Sequence, residues 1–150
     1  MAAKKQFSTF VVDQLLFGVG VEKVQEVIRY QEMTRVPLAP PVVKGLINLR
    51  GQIVTAIDLR RRLDLHERAA TDLPMNVVVR HEDGAVSLLV DEIGDVLEVA
   101  EENFEPPPAT LDSKARELTR GIYKLSDRLM HVLDTGAAVS VAGERQEKAA

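Results

Sequence analysis

The chain has 150 residues, 45% of them apolar, with a formal net charge of −4 and no cysteine. A chain of this size buries roughly two-thirds of its unfolded surface in one compact body or two coupled ones, and without thiols neither a disulfide frame nor a thiolate metal site can form, as suits a reducing compartment. No apolar run approaches the roughly 20 residues of a membrane helix, and Met1–Gln6 carries no apolar leader, so membrane insertion and secretion are not expected.

In chain order, Phe7–Val12, Leu15–Val19 and Val24–Arg29 are rich in β-branched and aromatic residues and read as strands. Val21–Val27 has an apolar residue at every third position, which suits a helical turn running into a strand as well as a plain strand. Thr34–Val43 holds Pro37, Pro40 and Pro41 and reads as a stiff crossover. Leu46–Leu49 and Ile53–Ile57, joined by Arg50-Gly51-Gln52, form a hairpin signature in which Gly51 takes positive φ at little cost. Leu59–Glu67 suits a short helix. Met75–Arg80 and Val86–Val90 are further strands, and Ile93–Val99 repeats the every-third-residue pattern. Glu105–Ala109 is a second proline crossover, Lys114–Leu118 is too short to assign, and Gly121–Leu125 and Leu129–Leu133 form a second hairpin around Ser126-Asp127-Arg128. Val141–Ala150 is polar and is expected to be a disordered tail.

Two of these segments echo each other. The stretch from Gly45 through Asp58 recurs from Gly121 through Asp134 at an offset of 76, keeping the glycine, the apolar pattern and the terminal aspartate. Upstream, Phe17, Val21, Val24 and Val27 are matched by Leu89, Ile93, Val96 and Val99 at an offset of 72. Such self-similarity implies two copies of one supersecondary unit burying the same apolar set.

Charge divides unevenly: residues 1–70 carry 11 Lys and Arg against 7 Asp and Glu, and residues 71–150 carry 8 against 16. Such asymmetry concerns partners rather than fold. Chemistry-bearing motifs are sparse. His66, His81 and His131 lack partners at ligand spacing, so no metal site is expected. Gly18-Val19-Gly20 opens like a dinucleotide loop but has Lys23 at the third glycine's place and no helix after it. None of the five serines has the surroundings of an activated nucleophile. Asp91, Glu92, Asp95, Glu98, Glu101 and Glu102 read as an acidic, solvated surface. A small β-barrel binding nucleic acid is the alternative reading; the Arg60–Arg62 cluster favours it, while 4% aromatic content and a pI near 5.4 oppose it. Neither catalysis nor a cofactor is expected.

The run Val24-Gln25-Glu26-Val27-Ile28-Arg29, then Thr34-Arg35-Val36-Pro37, then Val43 through Val54 with its Asn48-Leu49-Arg50-Gly51 centre, and Ile57-Asp58-Leu59-Arg60 resemble the CheW family of chemotaxis coupling proteins. The resemblance continues through Leu89–Leu97 and Leu118–Gly121, and departs at Leu16–Gly20, where an aromatic residue and an Ile-Asp-like pair are common. It implies an all-β fold of two five-stranded SH3-like barrels related by a pseudo-twofold axis, within a single CheW-like domain over 1–150. Subdomains are expected at about 15–70 and 75–140, with strand 7–12 and the C-terminal region crossing over. The resemblance further implies a non-catalytic cytoplasmic scaffold that couples the tips of methyl-accepting chemoreceptors to the regulatory domain of the histidine kinase CheA in a chemosensory array. By that resemblance the receptor groove falls on Val24, Glu26, Val27, Gly45, Arg50, Gly51, Ile93 and Val96. No residues are assigned to the kinase interface.

Overall fold

Ten strands pair into two five-stranded sheets in the computed structural model, which describes residues 3–82 and 84–140. The strands are β1 (Lys4–Val12), β2 (Leu15–Gly20), β3 (Val24–Ile28), β4 (Val43–Leu49), β5 (Gln52–Asp58), β6 (Met75–His81), β7 (Gly84–Val90), β8 (Glu92–Ala100), β9 (Thr119–Lys124) and β10 (Leu129–Leu133). Short helices follow β5 (α1, Leu59–Arg62), precede β9 (α2, Ser113–Leu118) and follow β10 (α3, residues 135–140). One sheet has the order β8-β1-β2-β10-β9 (barrel 1) and the other β3-β6-β7-β5-β4 (barrel 2). Each has one parallel pairing, β2 with β10 and β7 with β5, and is otherwise antiparallel.

The duplication is therefore interleaved. One copy runs β1 to β5 and the other β6 to β10, and the first two strands of each copy join the last three of the other. This differs from a division at 15–70 and 75–140: β2 belongs with β8, β9 and β10, while β6 and β7 belong with β3, β4 and β5. The reason lies in burial. β1, β2, β6 and β7 are apolar on both faces, so they must be covered on both. Phe7 and Leu16 fill barrel 1 with Tyr123 and Met130, while Phe10, Val12, Phe17 and Val19 on their other faces enter a central cluster between the sheets. Val77, Val79, Leu88 and Val90 enter the same central cluster from the other sheet, and Val78 fills barrel 2 with Ile47, Leu49 and Val54.

Register corrects the upstream echo. Val24 pairs with Val79 as Ile93 pairs with Phe10, and Val27 pairs with Val77 as Val96 pairs with Ser8. Equivalent positions thus lie 69 apart, not 72. A pattern with an apolar residue at every third position still matches itself after a slip of three, so periodicity alone could not choose. The downstream echo holds at 76: Gly45 pairs with Ala56 as Gly121 pairs with Val132. Each third strand carries a bulge at the same place, between Val24 and Glu26 and before Val96. Val21–Lys23 is a 3-10 turn entering β3, whereas Ile93–Val99 lies wholly in strand.

The repeated glycine and aspartate have structural duties in both copies. The proline crossovers form an isolated bridge to the fourth strand of each copy, Thr34 to Leu46 and Glu105 to Ile122. A Cβ on Gly45 would sit 2.7 Å from the Thr34 carbonyl oxygen, and one on Gly121 would sit 2.6 Å from that of Glu105. Asp58 caps α1 by accepting from Arg60 N at 3.0 Å, and Asp134 accepts from Ala137 N at 3.0 Å at the start of α3. The helix expected over Leu59–Glu67 ends at Arg62, because Leu63 closes it onto Leu59 and Asp64 turns to positive φ. Asp112 caps α2 in the segment left unassigned. The tail at 141–150 lies outside the described residues.

Candidate functional site

The β4–β5 hairpin turns through two residues of positive φ, Arg50 at 51° and Gly51 at 89°. Asn48 holds this turn by accepting from Gly51 N at 2.9 Å. Both central residues of such a tight turn are left-handed, which glycine adopts freely and arginine only at a cost. The strained residue is the one whose head group is used. Arg50 donates to Glu26 on β3, although β3 and β4 are opposite edges of the sheet. The pair can form only if the sheet curls on itself, so it clasps the mouth of barrel 2. Glu26 is mostly covered there, at 18% side-chain exposure, while Arg50 remains 76% exposed with donors to spare.

Register places four of the expected aliphatic residues on one joint. Directly paired residues share a face of the sheet, so Val24 and Val27 face as Val79 and Val77 do, and Ile93 and Val96 face as Phe10 and Ser8 do. Those partners line the seam between the barrels. Val24 and Ile93, one from each copy, are half-buried against the central cluster. Their outward neighbours stand clear of it, Val27 at 36% and Val96 at 58% exposure. Val24 and Ile93 thus cover the central cluster from the two barrels, and Val27 and Val96 are the exposed aliphatic residues next along the same strand faces. Gly51 is exposed on the hairpin, and Gly45 is buried beneath the Thr34 crossover. The expected set therefore separates into four exposed residues, Glu26 largely covered beneath Arg50, two residues against the central cluster and one under a loop.

A charged assembly next to the seam was not foreseen. Asp91, between β7 and β8, accepts from Arg60 Nε at 2.9 Å and from Arg68 Nε at 2.7 Å through one oxygen. Its other oxygen accepts from Arg60 Nη2 at 2.7 Å and from the Asp13 backbone N at 2.6 Å. Arg68 also donates to Asp58 at 3.0 Å. Burial pushes the Asp91 carboxyl up, but the Arg60 and Asp13 hydrogen bonds and the charges of both arginines outweigh it, leaving its pKa below the ordinary value. Arg60 is raised, chiefly by its hydrogen bond to Asp91. Asp91 is thus no part of a solvated acidic face, and the arginine cluster is no phosphate-binding surface: Arg60 turns inward, Arg61 bonds Glu67 and the Pro41 carbonyl, and Arg62 reaches Glu117. The missed signal was Arg68, distant in sequence from Asp91 and within no motif.

Among the described residues no group of three or more His, Asp or Glu is placed to hold a metal ion, and no helix is long and apolar enough to cross a membrane. Among known proteins, the CheW-like domain family matches residues 6–142. The chain belongs to the CheW family. It is 33% identical over 130 residues to the chemotaxis protein CheW of Bacillus subtilis, covering 87% of this chain and 83% of that protein. With CheW of Klebsiella aerogenes the identity is 30% over 130 residues, covering 87% and 78%. The crystal structure of the scaffolding protein TtCheW from Thermoanaerobacter tengcongensis superposes with a TM-score of 0.77 at 29% identity, over 88% of this chain and 90% of that one. CheW-family proteins are scaffolds of chemotaxis signalling rather than enzymes, and this chain is one of them.

Proposed function

We propose that this CheW-family protein couples the cytoplasmic tips of methyl-accepting chemoreceptors to the regulatory domain of the kinase CheA, and that the receptor helix lies in the seam between the barrels. The observation that supports this reading is that Val27 and Val96 are exposed at equivalent positions on the third strands of the two copies, next to Val24 and Ile93 of the central cluster. A helix laid there buries an aliphatic residue from each side, the helix-in-groove mode in which a few apolar anchors supply the affinity. Arg50, held by Glu26 and otherwise free in solvent, fixes the register of an acidic group on the partner. Gly51 lets the hairpin approach closely, Val24 and Ile93 form the floor, and Gly45 keeps the crossover tight behind β4. The protein works in the cytoplasm, within an array of receptors and kinase.

The test is calorimetric titration of the protein with a receptor tip fragment and, separately, with the CheA regulatory domain. Both are expected to bind, with the Val27→Glu and Val96→Glu proteins losing the receptor fragment and keeping the kinase domain. Equal loss of both partners, or binding of the receptor fragment unchanged, removes the seam as the receptor site.

A further inference from the structure

Val24 and Val27 share a face although they are three residues apart, and so do Ile93 and Val96. In a regular strand successive side chains alternate, so residues three apart point to opposite faces. The bulges make the difference. Between Ser8 and Phe10 β1 advances two residues while β8 advances three, from Val96 to Ile93, and β6 and β3 do the same between Val77 and Val79 and between Val27 and Val24. The extra residue turns over everything beyond it. Without a bulge, the outer valine of each pair would fall on the opposite face from its inner neighbour.

The two bulges are held by different means. In barrel 2 Glu26 resumes the pairing at Val78, so that only Gln25 is left out, and Arg80 donates to the Val24 carbonyl at 3.0 Å. In barrel 1 both Gly94 and Asp95 are left out of the register. There the Asp95 carbonyl accepts from the Thr9 hydroxyl at 2.5 Å. Thr9 is 2% exposed, and a partly buried carbonyl outside the ladder needs a donor from elsewhere. Gly94 makes room for it, since a Cβ there would sit 2.5 Å from Thr9 Oγ1. The equivalent of Thr9 in barrel 2 is Val78, which has no hydroxyl to give.

We propose that Thr9 is a positioning residue, its hydroxyl fixing the β8 bulge that turns Val96 to the same face as Ile93. The consequence for binding rests on the seam being the receptor site. Thr9 is buried and touches no partner itself, so receptor affinity depends on it only through Val96.

The experiment is Thr9→Val, which keeps the shape of the side chain and removes the donor, leaving the Asp95 carbonyl unpaired. NMR of the full chain reads the bulge without any partner, through the cross-strand contacts of Val96 with Ser8 and of Ile93 with Phe10. Calorimetry with a receptor tip fragment and with the CheA regulatory domain reads the consequence. In Thr9→Val the Ser8–Val96 contact should be lost or split between two registers, while the Val24–Val79 contact stays. Receptor affinity should fall about five- to tenfold with kinase binding unchanged, and Thr9→Ser should behave as the parent. In a Val96→Ala background, Thr9→Val should cost no further receptor affinity. An intact Ser8–Val96 contact in Thr9→Val overturns the proposal, and so does a further loss of affinity in the Val96→Ala background. A lost contact with full receptor affinity upholds the role of Thr9 and removes the seam as the receptor site instead. If Thr9→Val does not fold, Gly94→Ala, which crowds the same hydroxyl from an exposed position, decides the matter: an unchanged Ser8–Val96 contact there overturns the proposal.

Discussion

The two barrels have the same strand order, the same bulge in the third strand, the same glycine under a proline crossover and the same capping aspartate, yet their mouths differ. In barrel 2 Arg50 and Glu26 clasp the opening and leave a guanidinium in solvent. In barrel 1 Ser126 and Asp95 hold those places, and no ion pair joins them among the described residues. Barrel 1 is closed by aromatics instead: Tyr123 packs on Phe7 at 5.6 Å and on Phe104 at 5.5 Å between ring centres. Positions that recur in both copies serve the fold, since both copies must solve the same packing problem. Those that depart from the repeat are free to serve a partner. Arg50 is the clearest of the second kind, because it occupies a left-handed turn position that glycine or asparagine would fill with less strain.

The joints behind the third strands test this division most severely. Asp91 precedes β8 and is bound by two arginines, whereas Glu22, at the equivalent place between β2 and β3, is exposed and makes no ion pair among the described residues. Asp91→Ala leaves Arg60 and Arg68 facing each other with only Asp58 and Asp13 near them, and breaking a buried ion pair in this way costs about 3 kcal/mol. Urea unfolding should show that loss. The sign with pH follows from the lowered pKa. The Asp91 contribution is complete above the ordinary carboxyl value of 3.8 and disappears as pH falls through the lower folded value. The stability of Asp91→Ala should therefore fall less steeply than that of the parent below about pH 4. A parallel decline would mean that another carboxylate governs acid unfolding.

Next in size is the glycine pair. Gly45→Val and Gly121→Val each drive a side chain into the carbonyl of a crossing segment, and overpacking of this kind costs about 2 kcal/mol. If the recurrent glycines are structural, the two variants should lose similar stability, and receptor affinity should fall no further than the unfolded fraction explains. A folded Gly45→Val that selectively loses the receptor would instead make Gly45 a contact residue and separate the two copies at this position.

The aliphatic pairs sharpen the comparison within the seam. Val24→Glu and Ile93→Glu place a charge against the central cluster and should each cost about 2 kcal/mol. Val27→Glu and Val96→Glu, one pleat outward, should cost under about 1 kcal/mol, while abolishing receptor binding. Thermal melts with receptor titration on all four variants check the crossing pattern. An outer variant as unstable as its inner neighbour would show that the lip of the seam is ordinary core.

Much of this division could be read from the residues. Gly45 with Gly121 and Asp58 with Asp134 stood out because strand pairing and helix capping impose fixed residue types at fixed spacing, and Asn48-Leu49-Arg50-Gly51 stood out as a turn and as a family resemblance. Of the interleaving, only the crossing of strand 7–12 was expected; that β2 goes with it, and that β6 and β7 cross the other way, was not legible, because such strands pack equally well, by pattern, beside either set of three, and long-range burial decides between them. The slip from 72 to 69 was hidden by an apolar pattern that repeats every third residue. Asp91 was misread because its partners Arg60 and Arg68 lie 31 and 23 residues away, and only the fold brings them together. The clasp was half visible: Arg50 and Glu26 were both expected at the site, but their contact depends on the curl of a sheet in which they lie on opposite edges.

The smallest expected change in stability belongs to the residue with the largest expected role. Replacing Arg50 by Asn removes an exposed ion pair, worth under about 1 kcal/mol, and at the same time relieves an arginine held at φ 51°. Asparagine tolerates that conformation well, which returns a similar amount. The two effects nearly cancel, so Arg50→Asn should melt within a few degrees of the parent, whereas Arg50→Glu, which faces Glu26 with a like charge, should melt slightly lower. Both should lose receptor-dependent activation of the kinase in reconstituted arrays, by about tenfold or more if the guanidinium orients the partner. Ser126→Arg, at the equivalent turn of barrel 1, should leave activation unchanged. Arg50→Asn retaining full activation would show that the clasp serves barrel 2 alone, and the contrast between the two mouths would then be one of folding rather than of function.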